Sequence, residues 1–271
     1  GSIDVSRFAK PAVQRRFYTE SFNPETFGEN SIASSLHHFF AEAIDMEKLK
    51  ETTRWAVRFL DNVIDVCQFP LPEIEETVKR TRPIGLGIMG FADLCLKLKI
   101  RYGSRKSQEL LEYLLSQIQK TGWQTSIELG AEKGVFPEYE ANKQAYQEFF
   151  KTFDICYCEY PSALHEKGIC TDYAELKPRN YEVTTIAPTG TISLVAETSS
   201  GIEPNFSWGY FRRDTVGERY YVHPLAAEAL GIEVDLTDEA SVREAALMVV
   251  ENQANLPSYF VTANELTAEE H

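Results

Sequence analysis

The sequence lacks a long apolar run, a surplus of basic residues and an even set of cysteines. No stretch of its 271 residues approaches the roughly 20 apolar residues of a membrane-spanning helix, so we do not expect a membrane protein. Lys and Arg number 27 against 41 Asp and Glu, and the net charge of −14 disfavours binding to nucleic acid. The odd count of five cysteines excludes a fully paired set of disulfides, and we expect a reducing, cytoplasmic setting.

The cysteines form no metal-binding pattern. Cys67 and Cys95 lie in apolar helical contexts, DNVIDVCQF and FADLCLKL, which predict two buried and unreactive thiols. Cys156 and Cys158 form a C-x-C pair in a segment that alternates like a strand, so both thiols would share one face. No second pair and no nearby His completes a zinc-ligand set, and Cys170 stands apart. We therefore predict no metal site.

Hydrophobic periodicity predicts a helix-rich α/β protein. Apolar residues spaced three and four apart predict helices over 45–68, 104–132, 140–151 and 238–253. A β-branched run and an aromatic run predict strands over 182–187 and 206–212. Helices separated by short strands are typical of α/β folds. Since no repeat or flexible linker interrupts the chain, we expect a single domain over residues 1–271.

The segment Gly85-Leu86-Gly87-Ile88-Met89-Gly90 has the G-x-G-x-x-G spacing of dinucleotide-binding turns. Such a turn should follow an apolar strand, but the residues before Gly85 are charged and interrupted by Pro83. A purely structural alternative fits better, in which the glycines let a strand pass tightly into a helix. We keep a nicotinamide-dependent oxidoreductase only as a weak alternative.

The segment from Thr184 to Ser193 carries a stronger pattern. A β-branched run precedes Pro188, Thr189, Gly190 and Thr191, and the apolar run that follows can open a helix. A strand-to-helix turn of this kind points several main-chain N–H groups at one spot, near the positive end of the helix dipole. The pattern predicts either a phosphate cradle or an ordinary N-capped turn, and the local residues do not decide between them. No Lys follows Gly190, so it is not a Walker loop.

A polar turn, ETSSGIEPNF, follows over residues 197–206. Glu203 stands before Pro204, which forces an extended backbone and allows the carboxylate to project into a cleft. A solvated acid in a surface turn is the more ordinary interpretation.

Taken together, APTGTISLVAETSSGIEPNF (187–206) resembles the signature of ribonucleotide reductase large subunits. The segment from Leu60 to Leu94 is similar to the helix, Pro-containing connection and glycine turn of that family, and Arg179-Asn180 precedes the turn as it does there. The opening GSIDV resembles the segment that follows a reducing cysteine, and TANELTAEEH resembles the approach to a later helix. We therefore expect an internal piece of a longer chain, the C-terminal half of a catalytic barrel.

The resemblance implies part of a ten-stranded α/β barrel in which a thiyl radical initiates ribonucleotide reduction. It also implies a role in binding the substrate's phosphates, mainly through main-chain N–H groups, for one set of residues: Pro188, Thr189, Gly190, Thr191, Ile192 and Ser193. The family's Asn-x-Cys-x-Glu motif, with the radical cysteine, is absent from these 271 residues. We therefore expect no catalytic residue in this segment and no turnover by the chain alone.

The sequence of the turn, PTGT followed by TSSGIEPNF, is more similar to that of the adenosylcobalamin-dependent class II reductases than to that of the di-iron class. That resemblance implies adenosylcobalamin as cofactor, bound outside this segment. The implied partners are a ribonucleotide, the remaining portion of the catalytic subunit and a thioredoxin-type reductant. The alternative is a non-enzymatic nucleotide-binding or regulatory module derived from a reductase.

Overall fold

The computed structural model describes residues 1–10, 29–155, 173–214 and 217–270, and most of them are helical. The helices are α1 Glu29–Ala43, α2 Met46–Val66, α3 Pro72–Thr81, α4 Phe91–Lys97, α5 Arg105–Lys133, α6 Tyr139–Thr152, α7 Gly190–Ala196, α8 Pro224–Leu230 and α9 Glu239–Asn252. The strands are β1 Ser2–Asp4, β2 Gly87–Met89, β3 Gly209–Asp214 and β4 Gly217–Val222. The helix-rich α/β prediction is confirmed.

The chain divides into two compact units. The first comprises 1–3, 45–88 and 112–187, and the second comprises 4–44, 89–111 and 188–270 within the described residues. The division falls inside α5. It also falls between the segment that precedes Pro188 and the turn that begins there.

The first unit is built on α2, α5 and α6. Asp45 begins α2 by accepting the N–H of Lys48 at 3.1 Å, and α2 stops short of Pro70, which cannot continue a helix. Seven aromatic residues pack edge to face between α5, α6 and the following segment: Trp123, Phe136, Tyr139, Tyr146, Phe149, Phe150 and Tyr181. The Tyr146 hydroxyl donates to the carbonyl O of Tyr181 at 2.8 Å, which ties that segment to α6.

The three glycines of the G-x-G-x-x-G segment have steric roles. A Cβ on Gly85 would lie 2.7 Å from Cγ2 of Thr185, and a Cβ on Gly87 would lie 2.7 Å from the carbonyl O of Thr185. Gly90 ends β2 with a φ of +80° and is the residue before α4, a conformation that favours glycine. The structural alternative, a tight passage from strand to helix, therefore describes this segment.

Of the two predicted strands, the structure contains one. Residues 182–187 form no strand; Thr184 makes one isolated parallel bridge with Leu86. The aromatic strand starts later than predicted, at Gly209, and pairs antiparallel with β4, which the sequence analysis missed. The β4 sequence GERYYV places its charged residues first, so its apolar alternation is too short to stand out.

The second unit has its core where the β3–β4 hairpin packs on α9. Trp208, Val222 and Phe260 are buried together with small residues of α8 and α9, among them Ala246 and Val249. Close approach is essential here, because a Cβ on Gly209 would lie 2.6 Å from the carbonyl O of Ala246.

The ten-stranded barrel is not seen in the described residues, whose four short strands form two separate two-stranded sheets. No helix in the same part of the chain combines the length and the apolar character needed to cross a membrane.

The prediction of two buried thiols is half correct. Cys95 is buried, and burial raises the pKa of its thiol far above the usual value. Cys67 is exposed, which contradicts the prediction. It lies past the last turn of α2 in extended conformation, so it no longer follows the buried face of that helix. Cys156, Cys158 and Cys170 lie outside the described residues.

Candidate functional site

The turn before α7 opens a helix as expected of an anion-binding segment, but no strand directly precedes it, because residues 182–187 make only one isolated bridge. Thr189 adopts a left-handed conformation with φ of 53°, and α7 begins at Gly190. The first amide of α7 to reach an acceptor within the segment is that of Ser193, which donates to the carbonyl O of Thr189 at 2.9 Å. The N–H groups of Gly190, Thr191 and Ile192 belong to the first turn, where a helix offers no acceptor of its own. Thr189 provides no side-chain cap for them in the described structure.

The outer side of this turn is open. A Cβ built on Gly190 would meet no described atom within 4 Å, and the φ of Gly190 lies outside the left-handed region. Pro188, Gly190 and Thr191 are exposed, and the Ile192 side chain is 46% exposed. An external ligand can therefore reach the main chain here without displacing a side chain.

The inner side of the turn is held by hydroxyl groups. The Thr189 Oγ1 accepts the N–H of Gly201 at 2.7 Å, which fixes the left-handed residue in place. Ser193 is 1% exposed; its hydroxyl donates to the carbonyl O of Gly190 at 3.0 Å and lies 2.9 Å from the Ser200 hydroxyl. These two side chains shape the turn from within.

The buried carboxylate of Asp93 anchors the polar segment 197–206 behind the turn. Asp93 Oδ2 accepts the Ser199 N–H at 3.1 Å and the Thr198 hydroxyl at 3.2 Å. Its Oδ1 accepts the Asn205 side-chain amide at 3.2 Å and lies 3.0 Å from Nε2 of His223, which is itself 3% exposed. Asp4 Oδ1 lies 3.2 Å from the same Thr198 hydroxyl, so the segment that contacts Thr189 and Ser193 is fixed by Asp93 of α4 together with Asp4.

The charge of Asp93 is stabilised where it lies. Burial opposes ionisation, but the hydrogen bond and charge interaction with His223 and the bonds from Asn205 and Ser199 outweigh it, so the pKa of Asp93 lies below the usual aspartate value. Gly90 also borders this network, because a Cβ there would lie 2.2 Å from Oδ1 of Asp4 and 2.6 Å from the Thr198 hydroxyl oxygen.

Two recesses flank α7 within the second unit. One has a volume of about 470 Å³ and is lined by Thr191, Leu194 and Glu197 of the α7 segment, facing residues of the hairpin. The other has a volume of about 380 Å³ and is lined by Ser193, Glu203 and neighbouring residues of 197–206. Glu203 is exposed and reaches a cleft, as its position before Pro204 allowed.

Arg179 and Asn180, which precede the turn in the sequence, belong to a buried polar network of the first unit. Asp61, with no exposed side-chain surface, accepts Nη2 of Arg82 at 2.8 Å and the Asn180 side-chain amide at 3.1 Å. Asn180 also donates its main-chain N–H to the Ser126 hydroxyl at 3.1 Å. Burial opposes the charge of Asp61, but its bonds to Arg82 and Asn180 and the nearby Arg179 lower the pKa overall.

The sequence analysis located the turn but missed the residues that hold it. The structure brings Thr189, Gly190, Thr191, Ile192 and Ser193 into one turn, as predicted. Asp93 and His223 were not singled out. Asp93 lies as a carboxylate inside the apolar run GFADLCL, and His223 stands directly before a proline that starts a helix. Both patterns could have drawn attention to these residues, but neither pattern specifies a partner.

The fold and the site define a helix-rich α/β protein with a glycine-containing turn at the start of a short helix and a buried carboxylate behind it. The chain belongs to the ribonucleotide reductase family, because the model of the ribonucleotide reductase barrel domain matches residues 30–271.

Individual relatives support this assignment. A vitamin B12-dependent ribonucleoside-diphosphate reductase of Thermoplasma acidophilum is 35% identical over 252 residues, which is 91% of this chain and 29% of that protein. One of Mycobacterium tuberculosis is 37% identical over 170 residues, 62% of this chain and 20% of that protein. The ribonucleoside-diphosphate reductase subunit alpha of Chlamydia muridarum is 29% identical over 253 residues, 86% of this chain and 24% of that protein. The chain thus spans less than a third of the length of these relatives.

Proposed function

We propose that this chain contributes the substrate-phosphate turn of a ribonucleotide reductase, which reduces ribonucleotides to deoxyribonucleotides by a radical mechanism. The observation that carries the proposal is the open first turn of α7, where Gly190 leaves the main chain accessible. Membership of the reductase family supports the choice of a nucleotide over any other anion.

Each residue of the turn has a distinct part in this proposal. The N–H groups of Gly190, Thr191 and Ile192 donate to the phosphate oxygens, helped by the positive end of α7. Thr189 and Ser193 hold the turn through their hydroxyl groups. Pro188 stiffens the entry to the turn because its φ is fixed. The substrate gains orientation from these contacts, which keeps the ribose in a fixed place during the chemistry.

The reactive groups come from elsewhere in the proposed enzyme. We propose that residues 1–271 form one partial domain, the C-terminal half of a ten-stranded barrel, and that the remaining polypeptide supplies the radical cysteine and the reducing cysteine pair. Adenosylcobalamin supplies the radical when bound, as the names of the B12-dependent relatives suggest. The described residues bring no group of three His, Cys, Asp or Glu side chains together as a metal site, and we assign no residue of this chain to that cofactor. After each turnover, a thioredoxin-type protein in the cytoplasm would return the oxidised cysteine pair to its reduced dithiol form.

Gly190→Ala tests the phosphate turn directly. The new methyl group meets no described atom within 4 Å, so folding should be unchanged, but the methyl group stands where a phosphate must approach. We expect at least about a tenfold loss of affinity for cytidine diphosphate, the equivalent of one charge-assisted hydrogen bond. Phosphorus and proton NMR titrations of the 271-residue chain can measure affinities in the millimolar range. Val195→Ala, at a side chain 82% exposed in the same helix, is the matched control.

Thr191→Pro removes a single amide donor, because proline is tolerated in the first turn of a helix but has no N–H. Full affinity in both Gly190→Ala and Thr191→Pro would show that the turn does not bind the nucleotide. For the reaction itself, the chain is combined with the remaining portion of the catalytic subunit, adenosylcobalamin and a dithiol, and deoxycytidine diphosphate is measured. Product formation that requires this chain supports the reductase.

A non-enzymatic nucleotide-binding module is the second candidate, and the absence of the Asn-x-Cys-x-Glu motif from the sequence favours it. The two functions differ in what the isolated chain can do. Tight binding of cytidine diphosphate without any partner, and no contribution to turnover in the reconstituted mixture, would favour the module.

A further inference from the structure

A recess in the first unit is lined largely by aromatic side chains. It has a volume of about 440 Å³, which is within the range that suits small organic ligands. Its walls come from α5, α6 and the segment 181–184. The residues that give this aromatic recess its character are Trp123, Ala145, Tyr146, Phe149, Tyr181 and Glu182.

The spacing of the residues in α6 explains how the recess forms. Tyr146 and Phe149 are three apart and Ala145 and Phe149 are four apart, so all three lie on one side of the helix. Trp123 of α5 is 5% exposed, and its ring centroid lies 6.1 Å from that of Tyr146 and 5.4 Å from that of Phe149. Ala145 is exposed and small, so the space beside these rings stays open.

The rings of the aromatic recess meet at steep angles. The interplanar angle is 63° between Trp123 and Tyr146, 63° between Trp123 and Phe149, and 79° between Tyr146 and Tyr181. A flat nucleobase gains most from a ring that lies parallel to its own plane. A compact cation is attracted to the face of any ring within about 6 Å, and rings at steep angles can surround it on several sides. The geometry therefore favours a compact cation over a flat base.

The charge of the recess has the sign that a cation requires. Among the described residues that line it, Glu182 is the one charged residue. Glu182 is exposed, and its main-chain O accepts the N–H of Ile84 at 3.0 Å, which holds the residue in place. Its carboxylate lies near the aromatic wall, because after burial and the influence of Tyr181 it helps to raise the pKa of Tyr146.

We propose that the aromatic recess binds a compact organic ammonium cation, with the ammonium group among the rings and beside the Glu182 carboxylate. The inference goes beyond the proposed function, because the recess lies in the first unit and the turn at Gly190 belongs to the second. A bound cation would contact α5, α6 and the segment 181–184 together, and it would thus stabilise the first unit.

Choline and neohexanol form a matched pair of probes, because neohexanol has the shape of choline with carbon in place of the ammonium nitrogen. Each probe is titrated into the 271-residue chain while NMR follows the indole N–H signals of the three tryptophans. The Trp123 signal should shift with choline, whereas Trp55 and Trp208 do not line the recess and should give constant signals. We expect affinity for neohexanol to be about tenfold lower, the equivalent of a partly desolvated cation–π contact. Choline should raise Tm by more than neohexanol does at equal concentration.

Ala145→Leu fills the recess from an exposed helical position, where leucine is well tolerated. It should weaken choline binding at least about tenfold, because the new side chain occupies the space of the ligand. Ala141→Leu is the matched control, since Ala141 is exposed in the same helix but does not line the recess, and it should leave binding unchanged. Circular dichroism melts without ligand should give the same Tm for both variants.

Glu182→Gln keeps the shape of the recess and removes its charge. Affinity for choline should fall about threefold, a modest loss because water screens an exposed pair of charges, and affinity for neohexanol should not change. Glu140→Gln, at another exposed glutamate of the first unit, is the control and should alter neither affinity.

Each alternative result overturns the proposal. Equal affinity for choline and neohexanol would show an apolar recess without preference for a cation. A shift of the Trp123 signal with cytidine that choline cannot reverse would identify a flat base as the ligand. Choline binding that persists in Ala145→Leu would place the cation elsewhere, and a chain that binds no choline has no such site. None of these results depends on Gly190→Ala, so the proposed function is tested separately.

Discussion

Asp61→Asn should destabilise the first unit strongly, because it removes the charge that compensates a buried arginine. The Arg82 side chain is 5% exposed and donates Nε and Nη2 to Oδ1 of Asp61 at 3.1 and 2.8 Å. Removing one partner of a buried ion pair costs about 3–5 kcal/mol. Arg82 keeps its bonds to Asp65 and to the main-chain O of Asp61, so we expect the lower figure, about 3 kcal/mol. This corresponds to a fall in Tm of about 6–12 °C for a chain of this size.

Asp65→Asn is the control, because it changes the same residue type against the same arginine. The Asp65 side chain is 42% exposed and accepts Nη1 of Arg82 at 2.8 Å. Water screens such a pair, so its loss should cost at most about 1 kcal/mol. Thermal melts and urea titrations of both variants, followed by tryptophan fluorescence, measure the difference. Equal destabilisation by the two substitutions would refute the argument that burial of Asp61 sets the magnitude.

Three further predictions concern single residues. Gly90→Ala should destabilise the second unit by more than the ~1–2 kcal/mol of its left-handed backbone alone, because the methyl group also displaces the side chain of Asp4; urea titration measures this. Asp93 has a lowered pKa, so its stabilisation is complete above the unfolded value of about 3.9 and is lost as pH falls through the folded value. Unfolding measured from about pH 5 down to about pH 2 should therefore lose part of its acid dependence in Asp93→Asn. In native labelling with a maleimide, Cys67→Ser should remove one fast-reacting thiol, and Cys95→Ser should remove none.

Helices were the most predictable part of the fold. Regular apolar spacing located α2 and α5 to within about two residues at each end. The strands were less predictable because their pairing is not local. The segment 182–187 has the composition of a strand but makes only a single bridge, at Thr184, whereas β4 owes its place to β3 and α9.

At the candidate site, the turn formed by neighbouring residues could be predicted from the sequence. The contacts between residues far apart in the sequence could not. The pattern around Gly190 predicted a turn that opens a helix, and the structure has that turn. The buried pair of Asp93 and His223 joins residues 130 positions apart, and no spacing rule connects them. A buried carboxylate was unexpected because acids are almost never fully buried unless they are paired, and the partners were unknown.

The buried Asp93 carboxylate beneath segment 197–206 has a consequence for engineering. A designer who transplants APTGTISLVAETSSGIEPNF into another scaffold carries over Thr198, Ser199 and Asn205 but leaves behind Asp93 and His223. The graft would then lack the carboxylate that accepts the hydrogen bonds of these three residues, and we expect the loop to be held less firmly. The portable unit is therefore discontinuous and must include the start of α4 and the histidine before α8.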